Sequence, residues 1–343
     1  MRRSPSVRRV RCMAAALGAT LLLAACGPPP PLAARPKGDA FGTERLYHDG
    51  APWTAAGVDA ALQITSSEPR FGGWSGLALH GDSLMAVSDR GYWLRVRVTV
   101  DDNADLTLSE PRFGTLIGPD GAPLRRGQMR DAEDIVALPD GGHIVAFERE
   151  HRLWLYPAPA APSDPPLSVA PVLLPPPPGL EDVGYNTGIE AMAALPDGRL
   201  IAFVEGDTGR GRTPGWLGVP SVSEPQSIDW HPLHLMLNDG YRPTGAAVAA
   251  NGDLLVLERY FSIPFGFSSR VRRIKAADIM AGAALDGPVV ISLSQPPVND
   301  NFEGIAAEAL PDGTTRVLLM TDDNYSGLQR TLLLAVRIEN PSS

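Results

Sequence analysis

Cysteine is almost missing from this chain: Cys12 and Cys26 are the only two in 343 residues. Removal of an N-terminal leader would leave Cys26 alone, which excludes an internal disulfide and leaves stability to burial. About 300 residues suffice for a sizeable core in one or two domains. Helical periodicity is also scarce, and Ala276–Ala284 is the one stretch that reads as a short helix or a turn on a loop. Met13–Ala25 is the apolar run nearest to a membrane span, and it is short of the roughly 20 residues a span needs. There is no cysteine cluster, P-loop or dinucleotide fingerprint. Gly73-Trp74-Ser75-Gly76-Leu77 lacks the second glycine of a nucleophile elbow, and no strand–helix alternation surrounds it, which argues against an α/β hydrolase. The six histidines say little: His231 and His234 are spaced like ligands but flank an apolar strand beside Trp230, and His143 falls at a turn. Positive charge is in deficit. The formal balance is −9, and becomes −14 once a leader with five arginines and no acid is removed. Such a chain is a poor nucleic-acid binder and gains nothing from an anionic membrane surface, whereas a cation suits it.

The N-terminus reads as an export signal. Arg2, Arg3, Arg8, Arg9 and Arg11 precede the apolar run, which ends Leu23-Ala24-Ala25-Cys26-Gly27. That ending resembles a bacterial lipobox with Cys26 as the lipidated residue, palmitate among its acyl chains. The expected organisation is a signal peptide over 1–25, a lipidated Cys26 with a Pro-rich tether over 26–40, and one domain over 41–343. The implied location is the cell envelope, lipid-anchored on the periplasmic face. Gly27 after the cysteine favours the outer membrane over the inner.

What is present in abundance is a repeat. An apolar strand, a Gly-containing turn and a second apolar strand recur over Ser75–Asp89, Glu133–Glu148, Glu190–Glu205, Thr244–Glu258 and Glu303–Asp322. Pro139-Asp140-Gly141, Pro196-Asp197-Gly198, Asn251-Gly252 and Pro311-Asp312-Gly313 are hairpin turns, since Pro presets φ, Asp or Asn bonds its own backbone and Gly accepts positive φ. The second strands are apolar at nearly every position, as strands buried on both faces are. A period near 58 residues fits four short strands, which is a propeller blade. The expectation is an all-β propeller of four-stranded blades, five favoured and six possible. Phe41–Arg70 and Thr331–Ile338 would supply the outer strands that close the ring. The Pro-rich Pro157–Pro178 reads as a surface connection or edge strand.

In a hairpin, the residue before the first strand and the residue after the second share one end. The repeat ends should therefore meet at one mouth of the channel: Asp89, Glu133, Glu148, Glu190, Glu205, Glu258, Glu303 and Asp322, with Ser75 and Thr244 in the lopsided blades. Eight carboxylates cannot all ionise cheaply. A hard cation bound by oxygen would relieve them, Ca²⁺ best, and so would Arg90, Arg149 and Arg259, which directly follow closing acids. Acids at blade ends also serve structurally, by accepting backbone N–H groups of the next blade, so both uses stay open. Arg259–Phe267 reads as an aromatic lid loop, with Tyr260 a candidate substrate contact.

Asn301-Phe302-Glu303-Gly304-Ile305-Ala306, followed by Pro311-Asp312-Gly313, resembles the signature of the phytase-like family, whose description is esterase-like activity of phytase. Trp74-Ser75-Gly76-Leu77, Asp131-Ala132-Glu133-Asp134-Ile135, Gly188-Ile189-Glu190-Ala191 and Leu257-Glu258-Arg259 are similar to its earlier segments. The resemblance spans about Phe71–Ile338 and implies a secreted β-propeller with phosphoester or carboxyl-ester hydrolase activity. It brings no catalytic residue with it, and this chain lacks the long Asp-rich runs of a calcium-loaded propeller phytase. The resulting expectation is metal-assisted hydrolysis of a small-molecule ester or phosphoester by a monomer. Glu133, Glu190 and Glu303 would be catalytic, Arg90, Arg149, Arg259 and Tyr260 would hold substrate, and all eight acids are candidate ligands. Contact with the membrane would be through the anchor only. The rivals are a non-enzymatic binding or scaffold lipoprotein and a Ca²⁺-dependent lactonase-like propeller.

Overall fold

The five repeats become five small sheets. A computed structural model describes residues 41–46, 56–101, 105–125, 128–161, 164–207, 209–221, 227–294 and 298–341, all within the unit Ala34–Ser343. The expected leader over 1–25 and the expected lipidated Cys26 and tether over 26–40 lie outside the described residues. No helix among the described residues is long and apolar enough to cross a membrane.

The first strands of the described residues are β1 (Gly42–Arg45) and β2 (Val58–Thr65). The first blade is β3 (Trp74–His80), β4 (Ser83–Ser88), β5 (Tyr92–Val100) and β6 (Leu106–Thr115). The second is β7 (Ala132–Ala137), β8 (His143–Phe147), β9 (Arg152–Tyr156) and β10 (Val172–Leu174). The third is β11 (Ile189–Ala194), β12 (Leu200–Val204), β13 (Arg212–Pro220) and β14 (Ile228–Met236). The fourth is β15 (Arg242–Val248), β16 (Leu254–Ser262) and β17 (Gly266–Ile274), then the two-residue β18 (Ala284–Leu285) lent to the edge of the third blade, then β19 (Val289–Leu293). The fifth is β20 (Phe302–Ala309), β21 (Thr315–Thr321) and β22 (Thr331–Ile338), completed by β2 and β1. The ring is thus closed by pairing Val58–Thr65 along Thr331–Ile338, within the two stretches, Phe41–Arg70 and Thr331–Ile338, expected to supply the closing strands. The protein is an all-β, five-bladed propeller.

The double-sided second strands explain the ring. Along β4, Leu84 and Ala86 pack toward the fifth blade while Met85 and Val87 pack toward the second. The same alternation in β8, β12, β16 and β21 builds five apolar layers, one between each pair of neighbouring blades. Alanine-rich inner strands leave an axial cavity of about 160 Å³, lined by Ala78, Ala137, Ala193, Ala247 and Ala306 among others. The Pro-rich segment contains the edge strand β10 and a cover for the third blade, where the Trp216 and Trp230 indoles donate to the carbonyls of Pro178 and Pro175 at 3.1 and 2.9 Å. Ala276–Asp278 forms a 3₁₀ turn ahead of β18.

One expectation needs correction. Arg259–Phe267 is not a loop. The β16–β17 pairing continues through Arg259↔Ser269, Tyr260↔Ser268, Phe261↔Phe267 and Ser262↔Gly266, so a two-stranded ribbon stands on the mouth face.

Candidate functional site

Every inner strand carries a β-bulge at the same place. Trp74 pairs with Ser88 and Gly76 with Val87, which leaves Ser75 as the extra residue. The same count leaves Glu133, Glu190, Thr244 and Glu303 extra in β7, β11, β15 and β20. A bulge kinks its strand and re-aims the extra side chain. The five opening residues of the repeat are therefore the five bulge residues. Three of them converge electrostatically: Glu133 feels Glu303, and Glu190 feels both Glu133 and Glu303. The strands after the bulges run very close together. A Cβ on Gly76 would stand 2.7 Å from Asp134 Cα, and one on Gly245 would stand 2.7 Å from the Glu303 carbonyl oxygen.

The closing positions form a second ring. The backbone N–H groups of Asp89, Glu148, Glu205 and Asp322 donate to the carbonyls of Gly73, Asp131, Gly188 and Asn301, each two residues before a bulge. The corresponding residue of the fourth blade is Arg259, which pairs with Arg242, two residues before Thr244. Glu258 pairs with Pro243 and so sits one position earlier, level with Ser88, Phe147, Val204 and Thr321. One residue along a strand reverses the face. Glu258 accordingly turns away from the mouth, fully buried, where Arg270 Nε donates to it at 2.7 Å and Arg272 Nη2 also bonds it. Its place as a mouth ligand is corrected to a buried ion-pair centre.

Arg259 divides the mouth. Its guanidinium donates to Glu205 Oε1 and Asn301 Oδ1, both at 2.8 Å, and also pairs with Glu303. One cation thereby bridges the third, fourth and fifth blades. Burial still holds the Glu190 carboxyl well above the usual range, reinforced by Glu205 and Glu133 and opposed by Arg259. Glu303 is raised by burial too, with Arg259 the largest opposing influence.

The opposite side is less well neutralised. Asp131, Glu133 and Glu148 each present an oxygen, and the three atoms lie within 4.8 Å of one another. Burial raises Glu133 furthest, with Asp131 and Glu148 adding to it. Burial also raises Asp131, against the pull of Arg149, whose Nε stands 2.7 Å from Asp131 Oδ2. Glu148 is raised by burial while its Oε1 accepts the Gly188 N–H at 3.1 Å. Nearby, burial and Asp131 push Asp89 up to about 6. Burial and Glu303 push Asp322 up to about 8. Asp89 Oδ1 is buried with no hydrogen-bond partner among the described residues.

Asp131 was missed by the repeat reading because it lies two residues ahead of the bulge, where other blades carry Gly73, Gly188 and Asn301. Asp134 shows the structural use of an acid: it accepts the Ile135 and Met192 N–H groups at 2.8 and 2.6 Å and ties the second blade to the third. Among the expected substrate contacts, Arg90 stacks on the Tyr325 ring, 3.4 Å from its centroid, and keeps an exposed side chain on the mouth face. Tyr260 stacks on Tyr241 at 5.5 Å beside Gly240.

The sequence matches a known family. Residues 69–325 match the profile of the phytase-like proteins, described as having the esterase-like activity of phytase. The chain belongs to the phytase-like family. No curated protein matches it by sequence. Similar solved structures include the PQQ-bound aldose sugar dehydrogenase of Streptomyces coelicolor, 16% identical over 78% of this chain and 95% of that one, TM-score 0.43. Another is an exo-1,5-α-L-arabinanase from a bovine ruminal metagenomic library, 13% identical over 78% and 92%, TM-score 0.43. Likenesses this distant say nothing about the chemistry of the phytase-like chain.

Proposed function

We propose that this phytase-like propeller is an envelope-anchored, esterase-like hydrolase that cleaves a small phosphoester or carboxyl ester at the acidic mouth, with a divalent cation, Ca²⁺ first, held by Asp131, Glu133 and Glu148. The observation that carries the reading is the lopsided mouth. Arg259 serves the acids of the third and fifth blades, whereas the second-blade trio packs three carboxyl oxygens within 4.8 Å with Arg149 the one cation ion-paired to it among the described residues. That excess of hard oxygen donors suits a cation of loose coordination geometry. When bound, it would polarise the ester oxygen and lower the pKa of a water.

The chain's own residues supply the rest. Burial and the neighbouring Glu205 and Glu133 raise the Glu190 carboxyl well above the usual range, against the pull of Arg259, which favours it as the group that would donate a proton to a leaving oxygen. Arg149, ion-paired with Asp131 of the trio, and Arg90, which follows Asp89 and stacks on Tyr325, are exposed on the mouth face and would hold an anionic group. Arg259 fixes Glu205 and Glu303 in place. Cys26 would carry the lipid, and the protein would act as a monomer.

The test is turnover by purified protein on a panel of phosphoesters, carboxyl esters and lactones, with Ca²⁺ or with chelator. Cation-dependent turnover that falls about a hundredfold in Glu133→Gln and Glu190→Gln is expected. Absence of turnover across the panel refutes the reading, and tight ligand capture without turnover would indicate a binding protein instead. Turnover of lactones alone would select the lactonase-like alternative.

A further inference from the structure

The mouth face carries the most exposed apolar side chains of the described structure, and they concentrate on the ribbon. Ile263 is 87% exposed and Phe265 is 82% exposed at its tip, and Phe261 below them is 55% exposed. Leu328, 83% exposed, lies on the β21–β22 connection of the next blade, on the same face. Four residues of pairing beyond Glu258 lift the tip by about 14 Å. Stacking of Phe261 on Phe267 at 4.9 Å stiffens the ribbon. Tyr260–Phe267 contains no acid and no base. A lid over the mouth would turn these side chains inward, but they face solvent.

The path of the chain points to the same face. Gly42 pairs with Thr65, at the end of β2 from which the chain passes to Trp74 and the mouth, so the described chain enters on the mouth side of the fifth blade, beside the ribbon's blade. Fifteen residues, Cys26–Ala40, separate the expected lipid-bearing cysteine from the described domain, a length of chain that spans at most about 50 Å.

We infer that the propeller sits mouth-down on the bilayer, with Ile263 and Phe265 inserted among lipid headgroups as a second contact beside the anchor. This rests on the lipid-anchoring part of the proposed function and is independent of its hydrolase part. The occupant is a zwitterionic lipid surface, because an uncharged apolar tip needs no anionic partner and the acidic mouth behind it repels one.

The test uses the lipidated full chain in phosphatidylcholine vesicles. Phe265→Cys, or Met280→Cys on the opposite face (57% exposed), is labelled with an environment-sensitive fluorophore, Cys26 being the mature chain's other cysteine and blocked by lipid. Doxyl-labelled lipid should quench the probe at 265 at least about twofold more than the probe at 280. Equal quenching at both positions, or none at 265, overturns the inference. A second arm removes the anchor with Cys26→Ser and measures partitioning onto the same vesicles. Adding Ile263→Ser and Phe265→Ser should lower it about tenfold or more, and unchanged partitioning overturns the inference. Concentration-dependent dimers lost in the same variants, with no vesicle binding, would assign the tip to a second copy and also overturn it. If Cys26→Ser leaves cellular membrane association untouched, the anchoring reading fails, and the second arm still decides the tip.

Discussion

Glu258→Gln separates the register found here from the one suggested by the repeat. Glu258 is fully buried between Arg270 and Arg272, and Arg272 is itself almost fully buried. Removing one partner of a buried ion pair costs about 3–5 kcal/mol, because the opposite charge stays buried without full compensation. The arginines keep Asp239 and Asp286, but both are well exposed, at 76% and 54%, and offer only weak replacement. Glutamine retains an acceptor oxygen, which places the loss near the lower end, about 3 kcal/mol. A domain of about 300 residues unfolds with an entropy of about 0.6 kcal/mol per kelvin, so Tm should fall by about 5 °C. Ca²⁺ affinity by titration calorimetry and turnover per folded molecule should stay within about twofold, since the carboxylate faces away from the mouth. An unchanged melt together with weakened Ca²⁺ binding would refute the assignment and return Glu258 to the channel.

Asp131→Asn or Glu133→Gln should weaken Ca²⁺ binding about tenfold or more by calorimetry while leaving the cation-free melt equal or higher, since a like charge is removed from a crowded group. Asp89 and Asp322 titrate near 6 and 8 in the fold, against 3.8 for a free aspartate. The folded state therefore holds protons that the unfolded chain has released, so cation-free stability is greatest below about pH 4 as far as these groups are concerned, and falls as pH rises through 8. Asp89 alone contributes about 3 kcal/mol of that loss, and melts with chelator from pH 4.5 to 8.5 should decline, with Ca²⁺ restoring Tm at pH 8. Gly76→Ala forces a Cβ to 2.7 Å from the backbone of the next blade, and should cost about 1–3 kcal/mol in urea unfolding.

The architecture was open to reading from sequence because burial on both faces of a strand leaves a mark that neighbours cannot disguise. Leu84–Val87, Ile144–Phe147 and Leu254–Leu257 are apolar throughout, and their spacing gives the blade count. Closure was legible as far as the stretches left over by the five repeats, Phe41–Arg70 and Thr331–Ile338, and the observed pairing of Val58–Thr65 with Thr331–Ile338 falls within them. The site was less open to reading, because a bulge has no sequence mark of its own and a one-residue offset changes the face. Glu258 and Arg259 show the cost. Both are ionisable, and the choice between them rests on Ser88, Phe147, Val204 and Thr321, the small or apolar residues that precede the closing acids elsewhere. Taking 15 residues from bulge to closing position in the fourth blade, as in the second and third, would have chosen Arg259. Asp131 lay outside the repeat boundaries, and only pairing places its carboxyl beside Glu133 and Glu148.

The arginine in the closing ring changes what the lopsided repeat means. Were Glu258 in that ring, the mouth would be acidic on all sides and a cation would have no preferred seat. With Arg259 there, the third and fifth blades share an internal counter-ion that reaches Glu205, Glu303 and Asn301. The excess of carboxyl groups is then left with the second blade, where Asp131, Glu133 and Glu148 converge, and with Asp89 of the first blade, which feels Asp131. Arg259→Gln should therefore do more than weaken one contact. Freed of its cation, the Glu190, Glu205 and Glu303 group becomes a second acidic seat, and Ca²⁺ titration should show a second, weaker site absent from the parent protein. A variant that binds one Ca²⁺ with parental affinity would mean that the arginine holds the blades together without directing charge around the mouth.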